Sequence, residues 1–172
     1  MASLALGSQS VQPMPPPEFQ ELYQRFSDSV YRTAYRVTGN SSDAEDILQT
    51  VFMRLLDHRL SVDPLRNPEA YLRRAATNAS IDLLRWRTSR AETEVDDALH
   101  SKGRENTALM REGVRRALAK LPPDEAEMFV LAYLEGFSYD ELADQFNVAR
   151  GTVASRLNRI KADLQKRLKE WK

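Results

Sequence analysis

The sequence predicts an all-α protein of two small helical domains joined by a flexible acidic linker. Three observations predict it. Apolar residues recur at three- and four-residue steps over most of the chain and show no strand-like alternation. Capping residues, prolines and glycines divide that periodic sequence into helix-sized pieces. Between Ala91 and about Thr107 the period is lost, four acidic residues crowd between Glu92 and Asp97, and Gly103 follows, which is linker composition. The expected division is a proline-rich tail at 1–17, a first domain at 18–90, the linker at 91–107 and a second domain at 108–172.

The tail ends in PMPPP and cannot bury much. From Glu18, the residues Phe19, Leu22, Phe26, Val30, Ala34 and Val37 form an amphipathic helix that Gly39 and Asn40 end. In SSDAEDILQTVFMRLLD, Ser42 and Glu45 read as a capping box, and Ala44, Ile47, Leu48, Val51, Phe52 and Leu55 form the buried stripe. Asp43, Asp46, Gln49 and Thr50 lie on the opposite face. Helix capping accounts for part of that acidity, and docking of a basic partner for the rest. Residues His58 to Asn67 break the period. Asn67 then caps a helix with Pro68 at its first position, burying Leu72, Ala75, Ala76, Ala79 and Leu83 and presenting Arg73, Arg74, Thr77, Asn78 and Arg87. From Tyr71 to Arg90 that stretch holds five arginines and one aspartate, interleaved with Tyr71 and Trp86, a composition that suits phosphate neutralisation and base stacking.

The second domain opens with a helix through Leu109, Val114, Ala117, Leu118 and Leu121, stopped by Pro122 and Pro123. Another helix runs from about Asp124 to Glu135, with Gly136 as its C-cap. Ser138 and Glu141 form a capping box for a short helix that buries Leu142, Ala143 and Phe146, and Asn147 suits the turn after it. A further helix opens near Thr152, directs Val153, Leu157 and Ile160 inward, and leaves Arg150, Ser155, Arg156, Asn158 and Arg159 outside. Two short helices, a tight turn and a basic outer face make a helix-turn-helix. Residues 150–172 hold eight Lys or Arg against two acidic residues, so positive charge is concentrated where duplex DNA would lie.

Composition bounds the chemistry. With 25 basic and 25 acidic residues in 172, nucleic-acid affinity must come from charge distribution. The absence of cysteine excludes disulfides, thiolate metal sites and a cysteine nucleophile. His58 and His100 form no Glu-x-x-His pair and there is no glycine-rich phosphate loop, so neither an enzyme, a cofactor nor a metal site is expected. MASLALGSQS lacks a basic n-region, and no run approaches the ~20 apolar residues of a membrane span. The expectation is a cytoplasmic protein with no membrane insertion.

The succession DAEDILQTVF, AYLRRAATNASIDLLRW and LPPDEAEMFVLAYLEGFSYDELADQFNVARGTVASRLNRIKADL resembles a bacterial sigma factor of the extracytoplasmic-function (ECF) group, from about Glu18 to Leu168. The resemblance implies a sigma-2 domain that docks on core RNA polymerase through Asp43, Asp46, Gln49 and Thr50. It also implies a -10 site that melts the promoter and holds a flipped base, made by the loop Arg59 to Asn67 with Arg74, Asn78 and Arg85. The sigma-4 domain would read the duplex -35 element with Arg150, Thr152, Ser155, Arg156 and Arg159, and an anti-sigma factor would regulate both domains. Three departures bear on the promoter sequence read. Ala154 stands where relatives often carry Lys or Arg, RLSVDPLRN replaces a glycine- and serine-containing loop, and Tyr71 replaces the usual Trp. The alternative readings are a conventional helix-turn-helix regulator acting without replacing sigma, which would leave the acidic and basic-aromatic helices without a role, and a sigma-like adaptor without promoter recognition.

Overall fold

The breakers read in the sequence become turns. The computed structural model describes residues 17–57, 67–93 and 106–170. They form seven helices and no strand: α1 Pro17–Thr38, α2 Ser41–Leu56, α3 Pro68–Thr93, α4 Asn106–Ala119, α5 Pro123–Tyr133, α6 Tyr139–Phe146 and α7 Arg150–Glu170. Of the expected tail only Pro17 is described, and it opens α1. Residues 58–66 and 94–105, with Arg59 and most of the expected linker, lie outside the described residues.

The α1–α2 turn departs from the expected capping. Gly39 takes a left-handed φ of +67°, a conformation other side chains rarely adopt. The turn delivers Asn40 in an extended conformation, φ −134° and ψ 131°, and the Asn40 side chain accepts a 3.1 Å bond from the Asp43 N–H. Asn40 is therefore the N-cap, and α2 begins at Ser41, ahead of the Ser42–Glu45 box. At α3 the cap is as expected, with Asn67 Oδ1 accepting from the Ala70 N–H at 3.1 Å.

The helices α1, α2 and α3 enclose one core that includes Phe26, Val30, Ile47, Val51, Phe52 and Leu72. A second core gathers Leu118, Met128, Leu131, Leu142, Val153 and Leu157 from α4 to α7, and Val37, Ile81 and Leu84 of the first domain belong to it as well. The helix α3 is thus covered from two sides. Thr77, expected on an outward face, is fully buried as a result. Full burial of a leucine contributes about 1.5–3 kcal/mol, so Ile81 and Leu84 give the domain–domain contact an apolar component beside its ion pairs.

Candidate nucleic-acid interface

The helix-turn-helix is built by local chemistry. Ser138 Oγ accepts from the Glu141 N–H at 3.2 Å, and the Glu141 carboxylate accepts from the Ser138 N–H at 2.7 Å, closing the capping box. Hydrogen bonds from the Ser138 backbone and side chain hold the Glu141 carboxyl below its ordinary range. Asn147, at φ 49° and ψ 51°, turns the chain in the left-handed region that Asn tolerates. After a three-residue turn α7 opens at Arg150, two residues sooner than the sequence suggests. Val153, Leu157 and Ile160 are buried, which aims the opposite face at solvent. Arg150, Ser155 and Arg159 are exposed there, with Thr152 and Arg156 half-buried. The Arg150 guanidinium, over the Tyr139 ring at 5.9 Å, pairs with Asp140 at 3.2 Å, and both partners remain largely solvated. Ser155 Oγ donates to the Thr152 carbonyl at 3.0 Å. Among the described residues, Arg156 and Arg159 make no ion pair.

The basic face of α3 is differently placed. Arg74 donates through Nε to Glu127 Oε1 and lies 5.3 Å from the centre of the Phe146 ring. Arg85 donates through Nη2 to the Leu121 carbonyl at 2.5 Å. Beside them, Glu135 is enclosed by the first domain with its side chain fully buried. Its Oε2 accepts from Thr33 Oγ1 at 2.6 Å and Arg73 Nε at 2.9 Å, its Oε1 from Arg36 Nη1 at 3.1 Å, and its carbonyl from Arg73 Nη2 at 2.5 Å. A carboxylate is buried only when it is paired and hydrogen-bonded, and Glu135 meets that condition entirely through residues of the other domain. Asn67 is engaged as the α3 cap, and Asn78 is half-buried. Trp86 is exposed, with Arg90 stacked 5.0 Å over its ring.

On α2, the four residues expected to dock a partner divide. Asp43 is buried and accepts a two-pronged pair from Arg87 Nη1 and Nη2 at 2.5 and 2.6 Å. The hydrogen bond to Asp43 raises the Arg87 pKa further above its already high value. Asp46 and Gln49 are exposed. Thr50 is half-buried, its hydroxyl donating to the Asp46 carbonyl at 2.8 Å. Gln49 also borders an open groove of about 390 Å³ between α1 and α2, walled by Phe19, Tyr23, Phe52, Met53 and Leu56. The exposed surface on this side of α2 is therefore part acidic and part apolar.

Glu127, Glu135 and Arg73 escaped the sequence reading as partners. The available signal was an acid at each end of the apolar run EMFVLAYLE, both on a domain whose other end is basic. Among the described residues no group of acidic or histidine side chains could hold a metal ion, and no helix is long and apolar enough to cross a membrane.

The family model for sigma-70 region 2 matches residues 22–90, and the model for sigma-70 region 4 matches residues 111–164. The ECF RNA polymerase sigma factor EcfG of Rhodopseudomonas palustris is 33% identical over 138 residues, 76% of this chain and 74% of its own length. The chain belongs to the ECF group of the sigma-70 family. A second ECF sigma factor, SigE of Mycolicibacterium smegmatis, is 32% identical over 157 residues; the alignment takes in 87% of this ECF chain and 61% of the relative's length. The solved structure of the sigma factor RpoE of Bartonella quintana, in complex with the anti-sigma factor NepR, matches with a TM-score of 0.52 at 24% identity, over 88% of this chain and 97% of that one, and shows the same fold. In this ECF factor α1–α3 make the sigma-2 domain and α4–α7 the sigma-4 domain.

Proposed function

We propose that this ECF factor carries out no bond chemistry but binds core RNA polymerase in the cytoplasm and directs it to promoters with -35 and -10 elements. The observation that carries the reading is the outward basic face of α7, whose Arg156 and Arg159 make no ion pair among the described residues and stand on a helix-turn-helix shaped for the major groove. Arg150, Thr152, Ser155, Arg156 and Arg159 contact the duplex -35 element. The exposed Asp46 and Gln49, with Thr50 and the apolar groove beside them, dock on polymerase, while Asp43 fixes the start of α2 from beneath through Arg87. Residues Arg59 to Asn67, with Arg74, Asn78 and Arg85, form the -10 site that holds melted DNA. The sigma-2 domain spans 18–90 and the sigma-4 domain 108–172, joined by the acidic 91–107 linker. Joining two DNA contacts in one chain raises the effective concentration of each at the other's site. NepR bound to the B. quintana factor supports an anti-sigma factor as the regulator here too.

Run-off transcription from fragmented genomic DNA, with core polymerase in the presence and absence of this protein, tests the reading. The expected outcome is new starts that share two upstream elements. Binding to duplex DNA without binding to core would instead make the chain a conventional helix-turn-helix regulator. Asp46→Arg is expected to weaken core binding by roughly tenfold through charge reversal at an exposed contact, with helical content unchanged. Unchanged affinity in a pull-down would remove α2 from the interface.

A further inference from the structure

We propose that residues 4–11 of this chain fold back onto the apolar groove between α1 and α2 and cover it, with Leu4, Leu6 and Val11 as the anchors. The groove, of about 390 Å³, is floored by three rings in contact. Phe19 and Tyr23 have centroids 6.3 Å apart, and Phe52 meets them edge-on at 5.9 and 4.8 Å. Phe52 is buried, but the side chains around it are open to solvent: Met53 is 62% exposed, Tyr23 42% and Leu56 40%. Three large apolar side chains on one groove form a contiguous patch, which marks a contact surface where single exposed residues would not.

The chain enters α1 beside this groove. Pro17 opens the helix, and the groove residues of α1, from Phe19 to Gln24, lie within about 10 Å of it along an axis that rises ~1.5 Å per residue. The Phe19–Phe52 contact brings the last two turns of α2 to the same end of α1. From Pro17 back to Leu4 the chain can span up to about 40 Å at ~3.1 Å per residue, enough to leave the helix, reverse and return along it. Residues 1–17 carry no charged side chain, although charged residues make up 29% of the sequence. Such a segment enters an apolar groove without the desolvation cost of a buried charge. It is too poor in apolar residues to build a core of its own, but Leu4, Leu6 and Val11 suit a shallow site, and the Gln24 and Gln49 amides at the rim can hydrogen-bond its backbone. Aromatic-lined grooves accept extended, proline-containing segments in this manner. A tethered segment has an effective concentration of about 1 mM, so an intrinsic affinity of only ~0.1 mM leaves the groove open in roughly one molecule in ten. Gln49 belongs both to the groove and to the polymerase-docking face proposed above, and on that assignment core must displace the tail to dock.

The chain has no cysteine, so Met53→Cys places a single thiol in the groove of the full-length protein. Met110→Cys places one on α4 at a position of matching exposure, 65%. The rate of reaction with a maleimide then measures cover. With the tail intact, Met53→Cys is expected to react about tenfold more slowly than in a chain that also carries Leu4→Ser, Leu6→Ser and Val11→Ser, at every protein concentration. Met110→Cys is expected to react equally fast in both backgrounds. Equal rates at position 53 in the two backgrounds would overturn the proposal, and protection that fades on dilution would give the groove to a second copy of the chain instead. Core binding is read separately, by pull-down with the three serine substitutions alone, which are expected to tighten it severalfold. Protection at position 53 with unchanged core affinity would keep the tail on the groove and move the polymerase contact elsewhere, so the failure of one reading is distinguished from the failure of the other.

Discussion

The helices α3 and α7 are both long and basic, yet their arginines stand in opposite states. On α7, Arg150 and Arg159 are exposed and Arg156 is half-buried, and Arg150 pairs with Asp140 in an ion pair exposed on both sides. The arginines of α3 are engaged from below and above: Arg87 on Asp43, Arg73 on Glu135, Arg74 on Glu127 and Arg85 on a carbonyl. Exposed ion pairs contribute about 0–1 kcal/mol, whereas a group that satisfies a buried carboxylate is costly to remove. Charge density therefore locates both basic helices, but how far their arginines are engaged depends on what faces them. The outer face of α7 is set by its own helix-turn-helix, while what faces α3 depends on where the other domain sits.

The comparison breaks most severely where α7 is seated. Leu157 is fully buried in the second core, and Leu157→Ala is expected to destabilise the protein by about 2–5 kcal/mol. Because Val37, Ile81 and Leu84 share that core, the loss should appear in urea unfolding as a single earlier transition for the full chain. Two separated transitions would mean that the seam on α3 does not couple the domains.

A smaller loss is expected at the far end of α3. Arg87→Ala leaves the buried Asp43 carboxylate without its two donors, at a cost of about 1–3 kcal/mol. Arg87→Lys should recover only part of that, since an ammonium cannot reproduce the fork. Full recovery by lysine would show that charge alone anchors α2 to α3.

On the open side, Arg159→Ala is expected to weaken binding to a -35 duplex by about 1–3 kcal/mol if the guanidinium meets a base edge. If it meets phosphate, the salt dependence should instead fall by about one unit of slope. Neither Glu127→Gln nor Glu135→Gln should alter this duplex affinity, because α7 is already free. An unchanged affinity in Arg159→Ala would displace the reading face from this side of α7.

This division also explains what could be read in the sequence. The order of the helices, the Asn67 cap and the Ser138–Glu141 box depend on residues within four positions of each other, and local pattern finds them. The Asn40 cap was hidden because the Ser42–Glu45 pair fits the same rule, and only the left-handed turn at Gly39 decides between them. Asp43 looked like a surface acid because its partner lies 44 residues away. The partners of Glu135 lie 62, 99 and 102 residues away. No period or cap encodes a pairing at such separation, so the face that α3 presents became visible only once the two domains were placed together.

The smallest expected effect belongs to the most local device. Ser138→Ala removes the side-chain half of the capping box and is expected to cost about 1 kcal/mol at neutral pH. The Glu141 carboxyl is held below its ordinary range chiefly by the Ser138 N–H. Its contribution is therefore complete above the ordinary glutamate value and fades as pH falls through the depressed folded one. Ser138 Oγ also donates to Glu141 Oε2 at 2.8 Å, so part of the serine's worth should vanish with that charge. The gap in urea midpoint between wild type and Ser138→Ala should accordingly be wider at neutral pH than at about pH 3. Equal gaps would assign the serine's effect to the Glu141 N–H bond alone. A wider gap in acid would mean that the box is held by something other than the carboxylate. With α7 seated by the short helix that this box starts, duplex binding through the outer face of α7 should weaken in step with the cap, while the ion pairs on α3 stay as they are.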